Sequence, residues 1–298
     1  MRVMIVVNPR SGSGRAARAG VRIDACLRRA GYDTDCAETH GDRAEEWLDD
    51  RLEKAGALLV VGGDGAVRSV AATAIRTGTP IYHVPYGTAN LFARAFGMKR
   101  RADIVLRSLR CCHIHRVDVG IANGQTFVLM ASIGYDAQVV YDLANRRRRA
   151  ISRLSYVAPM LRQLFAWRPM ELAVTVDGEQ IDLDTGCGLL IVANCRHYMW
   201  RLDPVRRAVM TDGQLDVAVF PARSRSDLLR WIVKCAAGRQ LADPALVYRM
   251  GRRVEIVCSE PQRLQIDGDP PAGAAGGMVR KVDLSVQPRA LGVLLPIR

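Results

Sequence analysis

No run of 18 apolar residues occurs in the chain, so no segment is long enough to span a bilayer as a helix. Any membrane contact is therefore expected to be peripheral. The opening MRVMIVVNP carries too short an apolar run for export and turns at once into a glycine loop. No CxxC and no repeated spacing organise the 8 cysteines, which argues against a disulfide framework. They are expected to be reduced core thiols of a cytoplasmic protein. Cys111, Cys112, His113 and His115 invite a metal reading, but neighbours on a strand point to opposite faces and cannot all converge. Ser132 lies in no GxSxG, which removes the usual serine-hydrolase signal. No zinc finger or RRM signature is found, so nucleic acid is not expected as a partner. Acidic residues are scarce relative to basic ones, 30 against 43, and the resulting +13 suits an anionic partner: a nucleotide or an acidic membrane surface.

What is present is organised around LLVVGGDGAVRSVAATAI, residues 58–75. Four apolar residues run into Gly62, Gly63, Asp64 and Gly65, and Val67, Val70, Ala71 and Ala74 then recur on one helix face. This predicts a buried strand, a tight glycine turn and a helix. Glycines let the backbone approach a ligand, and the helix start offers unpaired N–H groups and the positive end of a dipole. Asp64 at that place suits a metal ion bridging carboxylate and phosphate. Two comparable loops flank it. The strand at 3–7 ends in Asn8-Pro9-Arg10-Ser11-Gly12-Ser13-Gly14, and the strand at 80–84 ends in Pro85-Tyr86-Gly87-Thr88-Ala89-Asn90. Strands alternating with helices predict a parallel α/β sheet, whose ligands sit beyond the carboxyl ends of the strands. Gly12-Ser13-Gly14-Arg15-Ala16-Ala17 also fits GxGxxA, with Asp33 and Asp35 where a ribose-binding acid would lie. A nicotinamide-dependent oxidoreductase is thus an alternative, although it leaves residues 62–65 idle.

From about residue 114 the pattern changes to short strands at 117–121, 126–131, 172–176, 188–192, 215–220, 254–257, 264–266 and 282–286. Turn residues such as Asp177-Gly178 and Asp212-Gly213 separate them, which predicts an antiparallel β-sandwich. Helical pieces are expected at 138–167 and 225–238. The division expected is 1–122 for the α/β domain, with 288–298 returning to it, and 123–287 for the β domain. Arg146, Arg147, Arg148 and Arg149 precede an apolar helix that ends near Trp167. Basic residues at headgroups with aromatics at the interface would suit an anionic membrane; a solvated helix face is the alternative.

Six motifs in order resemble the diacylglycerol kinase catalytic family, which includes the YegS-like bacterial lipid kinases and the sphingosine kinases. Asn8-Pro9 with Ser11-Gly12 is similar to its NPxSG, residues 62–65 to GGDG, and 87–90 with Phe92-Ala93 to GT(A/G)NDFA. Residues 132–137 resemble SxGFDA, 212–217 resemble DGxLDV, and 265–270 resemble QxDGEP. The resemblance implies a phosphofructokinase- or NAD-kinase-like α/β domain, a β-sandwich lipid-binding domain and ATP in the cleft between them. It implies transfer of the γ-phosphate to a lipid hydroxyl such as that of diacylglycerol, in phospholipid metabolism. On it, Asn8, Ser11, Gly12, Thr39, Gly62, Gly63, Asp64, Gly65, Ala66, Gly87, Thr88 and Asn90 are the expected nucleotide contacts. Asp64 would place Mg²⁺–ATP, Asp269 would be the general base, and Asp267 would support it. A second, structural magnesium site falls on Asp212 with the carbonyls of Val209 and Gln214.

The chain departs from the family pattern at Ala66, where a hydroxyl is missing, at Leu91, where an Asp is expected, and at Asp269, one methylene shorter than Glu. The family's glycine-rich GGGM-like stretch is His197-Tyr198-Met199-Trp200-Arg201. A NAD-kinase-like enzyme and a regulatory nucleotide- or lipid-binding protein remain the alternatives. The oligomeric state, a homodimer included, stays open.

Overall fold

The computed structural model describes residues 1–39, 44–145, 153–183, 186–271 and 277–297. The chain forms two compact units, Met1–Val117 with Arg289–Arg298, and Asp118–Pro288.

The first unit is α/β. Its elements are β1 (Arg2–Val7), α1 (Arg15–Arg29), β2 (Asp33–Glu38), α2 (Glu45–Leu52), β3 (Ala57–Gly62), α3 (Asp64–Thr77), β4 (Ile81–Pro85), α4 (Leu91–Ala95) and α5 (Ala102–Cys111). β5 (Ile114–Ala122) leads into the second unit. The strands pair in parallel in the order β4-β3-β1-β2. β3 and β4 are buried along their whole length, as β-branched runs covered on both faces should be. Val67, Val70, Ala71 and Ala74 of α3 are buried, and so are Ala16, Ala19, Ile23 and Leu27 of α1. At Gly20 a Cβ would lie 2.7 Å from the Val7 side chain, so glycine lets α1 close onto β1.

The second unit is an antiparallel sandwich with helices. It contains β6 (Gln125–Phe127), β7 (Met130–Gly134), α6 (Tyr135–Asn145), α7 (Val157–Ala166), β8 (Leu172–Val176), β9 (Glu179–Ile181), β10 (Cys187–Ala193), β11 (Leu215–Pro221), α8 (Arg225–Ala237), β12 (Val247–Gly251), β13 (Arg253–Ile266) and β14 (Met278–Leu294). One sheet runs β12-β11-β10-β7 and ends on residues 264–266 of β13. The other pairs residues 253–258 of β13 with β8 and β14, and β8 with β9. β13 thus serves both sheets, with a register shift between Val257 and Gln262. Side chains of both sheets share one core, including Ile133, Val192, Val217, Val254, Ile256, Leu264 and Val282. The last residues of β14 belong to the first unit, where Val293 pairs in parallel with Ile81 of β4.

Several sequence expectations change. The strand expected at 126–131 is split into β6 and β7, because Val128 and Leu129 turn their N–H groups to a side chain described below. The strands expected at 254–257 and 264–266 are one bent strand. Cys111 ends α5 and Cys112 is left-handed, so these two close a helix rather than lie on a strand, and β5 begins at Ile114. Cys36, Cys111 and Cys112 are exposed rather than core thiols; Cys187, Cys195, Cys235 and Cys258 are buried. Among the described residues no helix is long and apolar enough to cross a membrane.

Candidate active site

Adjacent parallel strands place three loops at one sheet edge: residues 8–14 after β1, 62–65 after β3 and 86–90 after β4. The loops are joined through backbone. The Gly62 carbonyl accepts from the N–H groups of Tyr86 (2.6 Å) and Gly87 (3.0 Å), and Asn8 N–H donates to the Val61 carbonyl at 2.9 Å. A Cβ on Gly87 would lie 2.4 Å from Gly63 Cα, so two loops meet with no room for a side chain. A Cβ on Gly62 would meet Asn8 Cβ at 3.2 Å and Ser11 Oγ at 3.6 Å, which sets the first loop against the second. Gly12, Ser13 and Gly14 all have positive φ, a run that glycine permits at least cost. Asn90, also left-handed, accepts from Gly87 N–H at 2.7 Å and donates to its carbonyl at 2.8 Å, closing the third loop on itself.

No side chain caps the N-termini of α1 or α3, both of which open at this edge. Uncapped N–H groups at a helix start suit an anion. Asp64 opens α3, and its Oδ1 accepts from Phe92 N–H at 3.0 Å in the first turn of α4. Its carboxylate therefore also fixes α4. Thr39 continues the edge, its N–H donating to the Val7 carbonyl at 2.9 Å. Ala66 is buried, its methyl packed under Gly62.

One residue here was not singled out from sequence. His83 is completely buried on β4, and its Nε2 lies 3.0 Å from the Gly62 carbonyl. Burial depresses its pKa against the opposing charge of Asp64, so the ring is neutral and donates to Gly62. A histidine inside the apolar strand Ile81–Pro85 was the available signal.

In the second unit, residues 266–269 form a tight turn at the end of β13. Ile266 and Asp269 exchange backbone bonds of 2.9 and 3.0 Å, with Asp267 and Gly268 both at positive φ. An Asp-Gly pair suits such a turn. The two carboxylates it carries differ sharply. Asp267 is buried, and its oxygens accept from the N–H groups of Val128 (2.8 Å), Leu129 (2.8 Å) and Met130 (2.9 Å). It therefore anchors the turn and is not presented to a reactant. The half-buried Asp269 carboxylate has no hydrogen-bond partner among the described residues. Beneath the turn, Asp136 of α6 accepts from Ser132 Oγ at 2.6 Å, from Gln265 Nε2 at 3.0 Å and from the Tyr198 hydroxyl. Burial raises its pKa, and these three donors oppose the rise.

The residues expected to hold magnesium, Asp212 with the carbonyls of Val209 and Gln214, lie on the loop before β11. Asp212 Oδ1 accepts from Gln214 N–H at 3.0 Å, and the buried Asp118 accepts from Gly213 N–H at 2.7 Å. Asp216 receives the Tyr248 hydroxyl at 2.5 Å, while its Oδ2 is buried without a partner among the described residues. Burial, with the Asp212 charge adding to it, pushes the Asp216 carboxyl up to about 6. Among the described residues no group of three or more His, Cys, Asp and Glu is arranged to hold a metal. Magnesium needs only one or two carboxylates with backbone and water oxygens, so this all-oxygen loop with an orphaned carboxylate oxygen fits it.

The membrane reading changes. Arg146, Arg147, Arg148 and Arg149 lie outside the described residues. Trp167 is 3% exposed and packs with Tyr135, Val139, Ala222 and Leu228, so its ring does not face a lipid surface. α7 ends at Ala166 and the backbone turns extended at Trp167, which drops the ring inward. On α7 and α8 the outward large apolar residues are Val157, Leu161 and Phe165, and Leu229 and Val233, each set spaced by four. An open groove of about 360 Å³ is lined by Gln138, Gln163, Arg263 and Met278, among others.

The profile described as "Diacylglycerol kinase catalytic domain" matches residues 2–122, and that described as "YegS C-terminal NAD kinase beta sandwich-like domain" matches 129–295. The chain is 28% identical to a diacylglycerol kinase of Mycobacterium tuberculosis, over 99% of this chain and 95% of that protein. It is 24% identical to a diacylglycerol kinase of Bacillus subtilis, over 90% and 89% of the two chains. A crystal structure of a diacylglycerol kinase from Bacillus anthracis shares the fold, with a TM-score of 0.71, 17% identity and coverage of 99% of this chain and 96% of that one. A catalytic-domain match on the α/β unit and a YegS-type match on the sandwich together assign the chain to the diacylglycerol kinase family.

Proposed function

We propose that the protein is an ATP-dependent lipid kinase that transfers the γ-phosphoryl group to a lipid hydroxyl, diacylglycerol or a related acceptor. The observation that carries this reading is the edge of the α/β unit, where three glycine loops meet and two helix starts have no side-chain cap. Phosphoryl transfer asks mainly for positioning and charge stabilisation, and such an edge supplies both. Ser11, Thr88 and the amides around Gly63 and Gly65 hold phosphate oxygens in this reading. Asp64 takes part in placing Mg²⁺–ATP, the ion neutralising phosphate charge when bound. The Asp269 carboxylate accepts the proton of the acceptor hydroxyl as that oxygen attacks the γ-phosphorus, and ADP departs. Asp267 keeps Asp269 in place. Asp212 and Asp216, with the carbonyls of Val209 and Gln214, would hold a second, structural Mg²⁺.

A lipid acceptor requires work at a membrane surface. The exposed apolar residues of α7 and α8, together with the excess of basic residues, support peripheral contact with an anionic bilayer. The test is transfer from γ-labelled ATP in Mg²⁺ to a panel of lipids that includes diacylglycerol, with Asp269→Asn alongside. Label in a lipid product, lost in the variant, is the expected result. No label on any lipid from the unaltered protein, with ATP binding intact, would overturn the reading.

A further inference from the structure

Asp136 has a role that its depth in the protein does not at first suggest. It is buried, and all three of its donors are neutral: the Ser132 and Tyr198 hydroxyls and the Gln265 amide. No Lys or Arg pairs with it among the described residues. In the ionised form, which these three donors favour, the carboxylate is an acceptor only, and so it dictates which way its neighbours point. The Gln265 amide must turn its NH₂ inward, where it reaches both Asp136 Oδ2 (3.0 Å) and Ser132 Oγ (2.8 Å). Its Oε1 then faces the other way and accepts from Gly268 N–H at 2.7 Å. Gly268 is the residue between Asp267 and Asp269. The turn is thus pinned from two sides, by the Asp267 carboxylate on residues 128–130 and by Gln265 on Gly268.

We propose that Asp136 is the positioning residue of the Asp269 turn, acting through the orientation it imposes on the Gln265 amide. The proposal rests on the kinase reading only for its consequence in turnover. Tyr198 completes the device. It comes from the stretch 197–201, and its backbone N–H donates to Asp203 Oδ1 at 2.7 Å. The Asp203 carbonyl in turn accepts from Gln240 Nε2 at 2.8 Å. The loop is therefore tied down at the residue that caps Asp136, and the phenol occupies the second carboxylate oxygen.

A polarity swap tests the orientation itself. Asp136→Asn keeps only one of the two accepting oxygens. With its NH₂ toward Gln265 it opposes that amide, and a flipped Gln265 would then oppose Gly268 N–H with its own NH₂. With its NH₂ toward Tyr198 it forces the phenol to accept instead of donate. Gln265→Glu brings a second carboxylate against Asp136. In the double variant D136N/Q265E, the amide now at position 136 donates to the carboxylate now at position 265 and to Ser132 Oγ. Ser132 donates to that same carboxylate, whose other oxygen still accepts from Gly268 N–H. The network is restored with the bonds between positions 132, 136 and 265 reversed in direction.

On the full-length chain we expect either single variant to speed hydrogen exchange of the Gly268 amide at least tenfold. Each should lower kcat for lipid phosphorylation at least tenfold while leaving the KM for ATP within twofold. The double variant should bring exchange and kcat back to within threefold of the unaltered protein. Gln265→Glu, which keeps an acceptor for Gly268 but is opposed by Asp136, covers a D136N chain that does not fold, and Gln265→Leu, which removes that acceptor outright, calibrates the full loss of the bond. Unchanged exchange in the single variants would overturn the proposal. Losses in the singles that the double variant does not recover would reduce Asp136 to a structural core residue and overturn it equally. If no lipid is phosphorylated by the unaltered protein, the kinase reading fails, and the exchange measurements still decide the role of Asp136.

Discussion

The two halves of the candidate machinery are built from different materials. In the α/β unit the loops meet chiefly through backbone: Gly62, Gly63 and Gly87 leave room for one another because they have no side chain, and the Gly62 carbonyl is shared by neighbouring loops. In the sandwich the contacts are side chains, and Asp267, Asp136, Gln265 and Tyr198 lock one turn by long-range hydrogen bonds. A backbone floor tolerates no added atom, whereas a side-chain lock tolerates no change of polarity. The contrast is sharpest between Asp267 and Asp269, two carboxylates of one turn, the first held by three N–H groups and the second with no partner among the described residues.

Substitutions can break this comparison at several points. The largest effect is expected for Asp269→Asn, which should lower kcat by about 10²–10⁴-fold. Its thermal midpoint should stay unchanged, because the Asp269 carboxylate makes no hydrogen bond among the described residues. Asp267→Asn should do the opposite first. Its NH₂ would oppose backbone N–H groups in a buried site, costing about 2–4 kcal/mol in chemical denaturation. Gly87→Ala should weaken ATP binding at least tenfold by titration and cost about 1–3 kcal/mol, since the new methyl has to displace Gly63. Gly78→Ala, at positive φ but with nothing within 4 Å of its Cβ, should cost about 1 kcal/mol and leave ATP binding alone. Leu161→Glu with Phe165→Glu should reduce sedimentation with anionic vesicles several-fold while leaving ATP binding intact.

The smallest effect concerns Asp216. Its carboxyl is raised to about 6 in the fold, mainly by burial. In the unfolded chain it titrates near 4. The stability it contributes is full below about pH 4 and is lost as pH rises through about 6. In a chelator, the thermal midpoint of Asp216→Asn should therefore gain a few degrees on the unaltered protein as pH rises between those two values.

The difference in material also explains what could be read beforehand. Glycine loops after apolar strands announce themselves locally, so the parallel sheet and its three loops were visible in residues 3–14, 58–66 and 80–90. The sandwich was visible in its strands but not in its bends. β6 and β7 part where Val128 and Leu129 bind a carboxylate from a residue more than a hundred positions away. Asp136 and Gln265 could be seen as motif letters, yet their burial and mutual orientation depend on three-dimensional packing. Tyr198 stood out only as a departure from a glycine-rich pattern, with no hint that it reaches Asp136. The inward turn of Trp167 was not legible, because an aromatic at the end of an apolar helix gives no sign of which side of the chain it will fall on. The apolar helix before Trp167 was legible, but nothing in it separated the exposed Val157, Leu161 and Phe165, the last 67% exposed, from the core positions beside them.

The sheet of the first unit is completed by residues from the far end of the chain. Leu291, Val293 and Leu294 are buried, Val293 pairs with Ile81, and Leu295 N–H donates to the His113 carbonyl at 2.9 Å. During synthesis the first 117 residues leave the ribosome long before these partners exist, and β4 waits as an open, apolar edge until the sandwich has been made. The α/β unit is translated ahead of the sandwich and finished after it. An expressed fragment of residues 1–117 should accordingly need chaperones or aggregate, whereas 118–288 is contiguous and free of that wait.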